Sequence, residues 1–497
     1  MKGCDNMKKR FGVVVSAFIL GACGGGGGSS STPSTPTTPT PSNSAPTIAN
    51  PVAAQAVNVG YAFSLDLANT FADADNDTLT ISVDFGADAK GLSLNGTMIV
   101  GTPNSTGTVS VTCTATDPSG ESVSDSFEIS VGIDQSAIAT VFNGAIDLEN
   151  LDNYANQPVP DYITKMNDGG NPITDAGATL GRVLFYDTSL SIDGTVSCAS
   201  CHIQSLGFSD DDIVSTGVAG GQTGRHSMRL INTMFADETD FFWDERAPSH
   251  EAQESQPIID HNEMGFSGQN GRPDLDDLIA QMEATEYYEE LFRFVFLDPE
   301  ITEDRIQLAL AQFTKSIQSF DSKFDEGRAQ ANSDVERFAN FTADENAGKQ
   351  LFMRNIDNNG AGCNGCHRAP EFDIRPGSDH NGIFRVAGST TEFDLTNTRS
   401  PSLRDLVGPG GRSNGPFMHD GSLATIRAVI DHYDAIQEPA SEPPLSEFRD
   451  TIDNRLVEGG SPIQLNLTEN EKNQLEAFLL TLSGSSIYTD EKLSDPF

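Results

Sequence analysis

The spacing of apolar positions changes twice along the chain. From Ala45 to about Ile133, apolar and polar residues alternate in short β-branched runs, as at residues 79–83, 109–112 and 126–131. The breakers Asp75-Asn76-Asp77, Asn95-Gly96 and Pro118-Ser119-Gly120 fall between such runs. A period of two with regular turns predicts strands, and strands at this spacing predict a small β-sandwich. After about Asp134 the period lengthens. Ile306, Leu310, Phe313, Ile317 and Phe320 recur at steps of four and three, the single apolar stripe of a helix. Thr342-Ala343-Asp344-Glu345 and Thr468-Glu469-Asn470-Glu471 both have the form of a capping box, and Leu475, Phe478, Leu479 and Leu482 continue the second helix. Between these helices lie long stretches rich in Gly and Asp. Such loops are tolerated when they wrap around something that supplies the missing core.

The predicted fold class is therefore multidomain, a small all-β sandwich followed by a mainly α region. Ahead of both, Lys8, Lys9 and Arg10 precede an apolar run, residues 11–20, that is too short to span a bilayer. Leu20-Gly21-Ala22-Cys23 then resembles a bacterial lipoprotein box, with Cys23 as the lipid-bearing residue. Residues 1–23 are assigned to a signal peptide and 24–44, made of Gly, Ser, Thr and Pro, to a linker. The mature chain is expected to be exported to the periplasm or cell surface and tethered by acyl chains, with the outer membrane as the expected site. Acidic residues outnumber basic ones 72 to 30, for a formal charge of -42, which speaks against nucleic acid as a partner. A basic protein partner is compatible with that charge.

Of seven cysteines, Cys4 precedes the signal, Cys23 is the lipid site and Cys113 stands alone in a strand-like run. The other four form two identical patterns, Cys198-Ala199-Ser200-Cys201-His202 and Cys363-Asn364-Gly365-Cys366-His367. Two thiols spaced by two residues can each form a thioether to a porphyrin vinyl group, and the next residue places an imidazole under the iron. Zinc would need further paired ligands and a thioredoxin-like pair a βαβ setting; neither context accompanies these motifs. Two covalent haems are predicted, His202 and His367 being their proximal ligands. A helix signal precedes each motif, at residues 180–187 and 347–352, giving two haem-bearing units, 134–335 and 336–497, after the sandwich at 45–133.

From about Asp175 to Gly484 the chain resembles the bacterial di-haem cytochrome c peroxidase and MauG superfamily. The resemblance is carried by Leu180-Gly181-Arg182, the two haem motifs, Gly207-Phe208, residues 242–247 (FWDERA), Asn262-Glu263-Met264-Gly265, Pro401-Ser402-Leu403-Arg404 and His419-Asp420-Gly421-Ser422, in family order. It implies that the N-terminal haem reacts with hydrogen peroxide and that the C-terminal haem takes in or stores oxidising equivalents. Trp243, the only Trp, matches the tryptophan between the haems, an oxidisable relay. Glu263 matches the proton-handling base and Gln253 the group that orients peroxide. Residues 45–133 resemble cadherin-like or immunoglobulin-like modules, and the acids at 71–77 could bind calcium or simply form an acidic turn.

Departures from the family pattern bear on the subtype. Many of these peroxidases block the sixth position of the first iron with a His; here that position is Val218, which implies a five-coordinate haem. His226 stands near where an Asn binding an interdomain calcium often lies, and is expected to hydrogen-bond rather than to ligate. Asn414 and Pro416 fall near the other expected calcium ligands. For the far ligand of the second haem, Tyr433 occupies the place of the usual Met, as in MauG-type enzymes, with Met418 and His432 as rivals. Two enzymatic readings follow: a peroxidase fed by a small cytochrome or copper protein, and a MauG-like enzyme oxidising residues of a partner protein. The non-enzymatic alternative is an electron carrier with two closed haems.

Overall fold

The computed structural model describes residues 42–497 apart from Glu238; Cys4, Cys23 and nearly all of the linker lie outside them. Strand Gly107–Thr116 buries Val109, Val111, Cys113 and Ala115 and turns the residues between them outward, so one face is apolar. It pairs antiparallel with Ser122–Gly132 in a sheet ordered Gln55–Asn58, Ser122–Gly132, Gly107–Thr116, Thr80–Asp84, the first pair being parallel. A second sheet, Phe63–Asp66, Met98–Gly101, Leu92–Asn95, covers that apolar face. Leu67, Ile99, Val109, Cys113 and Ile129 fill the space between the two as a sandwich core. Arg293 joins this unit to the helices. Its guanidinium lies 4.2 Å over the Tyr61 ring and donates to Gly60 O at 3.3 Å.

In the helical region the same device appears twice. Helix Asp175–Tyr186 packs on Glu303–Ser316 at Gly181, where a Cβ would lie 2.0 Å from Ala309 O. Helix Ala343–Met353 packs on Glu469–Leu480 at Gly348, where a Cβ would lie 1.8 Å from Gln474 O. Only glycine permits either crossing. Each pair brings the helix ahead of a haem motif against the long helix that follows it in the same unit. The capping boxes at Thr342 and Thr468 are formed, each Thr accepting from the N–H of the Glu three residues on. The helix predicted from the stripe at 306–320 spans Glu303–Ser316, and Ile317, just past its end, is still buried.

One core, containing Leu180, Phe185, Leu310 and Phe313, lies beside the first Cys-x-x-Cys-His motif; another, rich in phenylalanine (Phe324, Phe338, Phe352, Phe372, Phe478), lies beside the second. The end of the chain returns to the first. Ile487, Tyr488 and Leu493 pack in its core, and Arg182 donates to Glu491 O and Ser494 O, both at 2.7 Å. No helix among the described residues is long and apolar enough to cross a membrane.

Candidate haem sites

The first motif is one helical turn, Cys198–Cys201, closed by a Ser197–Ser200 capping box. The chain then folds back through Gly207 and Phe208, both at positive φ, and places Phe208 O 3.2 Å from His202 Nδ1. A carbonyl can only accept, so the proton sits on Nδ1 and Nε2 keeps its lone pair for an iron. Cys198, Cys201 and His202 line a cavity of about 480 Å³. Burial pushes the Cys201 thiol up to about 11 and that of Cys198 higher still, so neither is an activated thiolate.

Trp243, Gln253 and Glu263 line the same cavity. Gln253 comes from helix His250–Glu254, whose N-cap Ser249 accepts from Ala252 N. Glu263 sits on a loop held from two sides. Asp260 Oδ1 accepts from Asn262 N at 2.7 Å and Glu263 N at 3.2 Å, and Glu263 O accepts from Val218 N at 2.9 Å. Gly217 and Gly221 allow that approach, since a Cβ at either would meet Asn262 O at 1.9 or 2.5 Å. Burial first, then the charge of Asp260, push the Glu263 carboxyl up to about 7 against the pull of Arg246. The Val218 side chain does not line the cavity; it is buried near Gly265 and Ile192.

Glu254 and Thr314, which also line this cavity, escaped the sequence reading. Glu254, beside Gln253, is buried; its Oε1 accepts from Thr314 Oγ1 at 2.8 Å and lies 3.4 Å from His250 Nε2. Desolvation pushes it up to about 7, so the cavity holds two carboxyls that titrate near neutrality. The available signals were the i,i+4 pair His250/Glu254 and a Thr within the apolar stripe of helix Glu303–Ser316.

The second motif begins with Gly362 at φ +77°, turns through Cys363–Gly365, and leads into the short strand His367–Arg368. Arg455 Nη1 donates to Gly365 O at 2.8 Å and pins the turn. Cys363, Cys366 and His367 line a second, mostly apolar cavity together with Met418 and Tyr433. His432 does not line it; its Nε2 is 3.0 Å from Asn381 O. Asn381 links the two candidates that do: its amide is 3.5 Å from Met418 Sδ and also hydrogen-bonds the Tyr433 hydroxyl. Burial raises the Tyr433 phenol above its ordinary range.

Trp243 borders both cavities, and backbone groups hold it on both sides. Its Nε1 donates to His226 O at 2.8 Å, and its carbonyl accepts from Thr398 N and Arg399 N at 3.0 and 3.1 Å. The His226 ring is engaged through Nδ1, 3.0 Å from Asp212 O, with Nε2 3.5 Å from Ser209 Oγ. Pro416 lines the second cavity, and the Asn414 amide donates to Asp405 O and Tyr488 OH. In the β-unit, carboxylates of Asp73, Asp77 and Asp117 approach within 4.8 Å, the only such cluster of His, Cys, Asp or Glu among the described residues. Asp117 was not anticipated, being 40 residues from the acidic turn. Asp73 Oδ1 accepts from Asp75 N and Asp77 N, the ordinary work of such a turn.

The donor set fits two covalently held haems. Each cavity has a pair of thiols outside any disulfide with the imidazole of the next residue, and among the described residues neither motif forms part of a cluster of three or more His, Cys, Asp or Glu close enough to hold a metal ion such as zinc.

Comparison with known proteins agrees. Residues 175–333 match the family model of di-haem cytochrome c peroxidase, and residues 45–132 match that of a putative Ig domain. The chain is 33% identical over 322 residues to the methylamine utilization protein MauG of Methylorubrum extorquens, covering 63% of this chain and 79% of that protein. It is 30% identical over 276 residues to the cytochrome c551 peroxidase of Nitrosomonas europaea, covering 52% and 73%. Among solved structures, a MauG-like protein associated with microbial copper homeostasis superposes with a TM-score of 0.53 at 29% identity, over 69% of this chain and 99% of that one. With an immunoglobulin-like module at its N-terminal side, the chain belongs to the di-haem cytochrome c peroxidase and MauG family of peroxide-using oxidoreductases.

Proposed function

We propose that the chain reduces hydrogen peroxide at the first cavity, with oxidising equivalents passing by way of Trp243 to the second. The observation that carries this reading is the placement of Glu263, pushed up to about 7, in one cavity with His202 and Gln253. Bound haem supplies the redox-active iron at which peroxide takes two electrons. The proton work falls to the chain. The Glu263 carboxylate takes a proton from one peroxide oxygen and returns it to the other, which leaves as water; two protons from solvent and the two electrons convert the remaining oxygen to a second water. The Gln253 amide orients peroxide. The Nδ1–H bond to Phe208 O fixes the tautomer and orientation of His202. Val218 packs away from the cavity, so its side chain would not stand between a haem held there and peroxide.

Electrons arriving from a small cytochrome or copper protein make this a peroxidase. A second reading, a MauG-like enzyme oxidising residues of a partner protein, is favoured by Tyr433 at the second cavity, since a phenolate-type ligand stabilises high-valent iron. Peroxide added to the haem-loaded protein with a reduced small cytochrome separates these readings. Rapid multiple turnover supports the peroxidase, slow decay of oxidised haems the modifying enzyme, and no reaction with peroxide defeats both. We also infer export and lipidation at Cys23, outside the described residues, on the sequence pattern; loss of labelled palmitate incorporation in C23S tests it.

A further inference from the structure

Between the two cavities, on the segment that follows His226, lies a buried cation without a matching anion. Arg229 borders both cavities and is 7% exposed. Its Nη2 donates to Ser402 O at 3.1 Å, while Nε is buried and finds no acceptor. No carboxylate among the described residues comes within ion-pair distance of it. Asp405 bears on it electrostatically, but Asp405 Oδ1 is committed to Gly484 N at 2.9 Å and Tyr488 OH at 3.1 Å, and burial raises that carboxyl, weakening it as an anion. Burying a guanidinium unpaired costs several kcal/mol, roughly, so a chain keeps one there when something else brings the negative charge. Desolvation accordingly pulls this group down to about 10.

We propose that Arg229 is the counter-cation for a propionate carboxylate of the haem held by Cys363, Cys366 and His367. Each haem carries two such carboxylates, and a planar guanidinium with a free Nε–H is suited to carboxylate. Geometry selects the C-terminal haem over the other: the guanidinium lies 5.8 Å over the ring of Phe417, which lines the second cavity only. A fixed positive charge beside that carboxylate favours the reduced, more negative state of the haem. The position therefore sets how readily the second haem accepts an electron.

This inference rests on the presence of two haems but not on peroxide chemistry. Its test is spectroelectrochemical titration of both haems in holoprotein, after haem content confirms two per chain. R229M should shift the reduction equilibrium of the C-terminal haem at least tenfold toward the oxidised form, which for one electron is about 59 mV, and R229K should remain near wild type. Unchanged potentials in R229M, or equal shifts in R229M and R229K, would overturn the assignment. Should R229M fail to load haem, R229K serves alone through the propionate-bending bands in resonance Raman: a band that moves supports the contact, and bands identical to wild type refute it. A protein inert to peroxide could still pass these tests, so the failure of the functional reading is distinguishable.

Discussion

Replacing Glu263 by glutamine keeps the shape of the side chain and removes its ability to take and return a proton. The carboxyl titrates at about 7 because burial and Asp260 together outweigh Arg246. The ionised form is the working base, so activity rises with pH. At pH 7 about half of the molecules carry the carboxylate, at pH 5 only about 1%, and above pH 8 the rate levels off. General acid–base catalysis of this kind contributes about 10²–10⁴-fold, and that is the expected loss in E263Q. The assay is stopped-flow measurement of the reaction of resting protein with excess peroxide between pH 5 and 9. Wild type should give a rate that climbs through pH 7 to a plateau; E263Q should be slow and flat across that range. Glu254 shares the cavity and also titrates at about 7, so E254Q is the necessary control, and it should keep the climb. If E263Q stayed within about threefold of wild type with the climb intact, while E254Q flattened it, the proton work would belong to Glu254 and the assignment of Glu263 would be wrong.

Three further outcomes are expected. Glu254 is buried with its carboxyl raised, so the folded state holds a proton that the unfolded chain releases above about 4.5; stability falls as pH rises from there to about 7, and E254Q should recover about 1–3 kcal/mol in urea unfolding at pH 8.5 and nothing at pH 4. An equal gain at both pH values would refute the cause. Burial alone would raise Asp325, but Arg404, paired with it at 2.8 and 3.0 Å, holds it below the ordinary carboxylate range. That pair stabilises the fold above the unfolded value near 3.8 and loses its contribution as pH falls through the lowered one. D325N strands the fully buried Arg404 and should cost about 3–5 kcal/mol at pH 7, measured by denaturant unfolding. Finally, Y433F should alter the low-temperature electron paramagnetic resonance signal of the C-terminal haem and M418L should not; the reverse pattern would move the far ligand to Met418.

The sequence announces what is local. Alternation in residues 107–116 follows from one strand having two faces, and the capping boxes at Thr342 and Thr468 need only four residues each. The haem motifs are equally local, because two thioethers and an iron ligand must sit within one turn of chain. Glu263, Gln253 and Trp243 were singled out through resemblance alone, since nothing in 72 acids marks one of them as buried. What stayed hidden depends on segments far apart in sequence. Glu254 acquires meaning only when helix His250–Glu254 meets Thr314, 60 residues later, and Arg229 only when Ser402 and Phe417 close over it. His432 was a fair rival to Tyr433 by sequence, but neighbouring residues on a helix point about 100° apart, and Tyr433 is the one that reaches the cavity.

The boundary between the two cavities is built from two such distant segments, an arrangement that suits the proposed relay role of the single Trp. Residues 226–229 and 399–401 each border both cavities. Trp243 lies between them with its indole N–H on His226 O and its carbonyl on Thr398 N and Arg399 N. These partners are backbone groups, so the indole is placed by the fold of both units and not by the rotamer of a neighbouring side chain. The His226 amide in turn donates to His419 O at 2.8 Å, and the His419 ring meets the indole edge-on at 6.3 Å. Moving one unit against the other would break these contacts together. An electron relay gains from that rigidity, because its rate depends steeply on a separation that is here fixed by main-chain hydrogen bonds on either side.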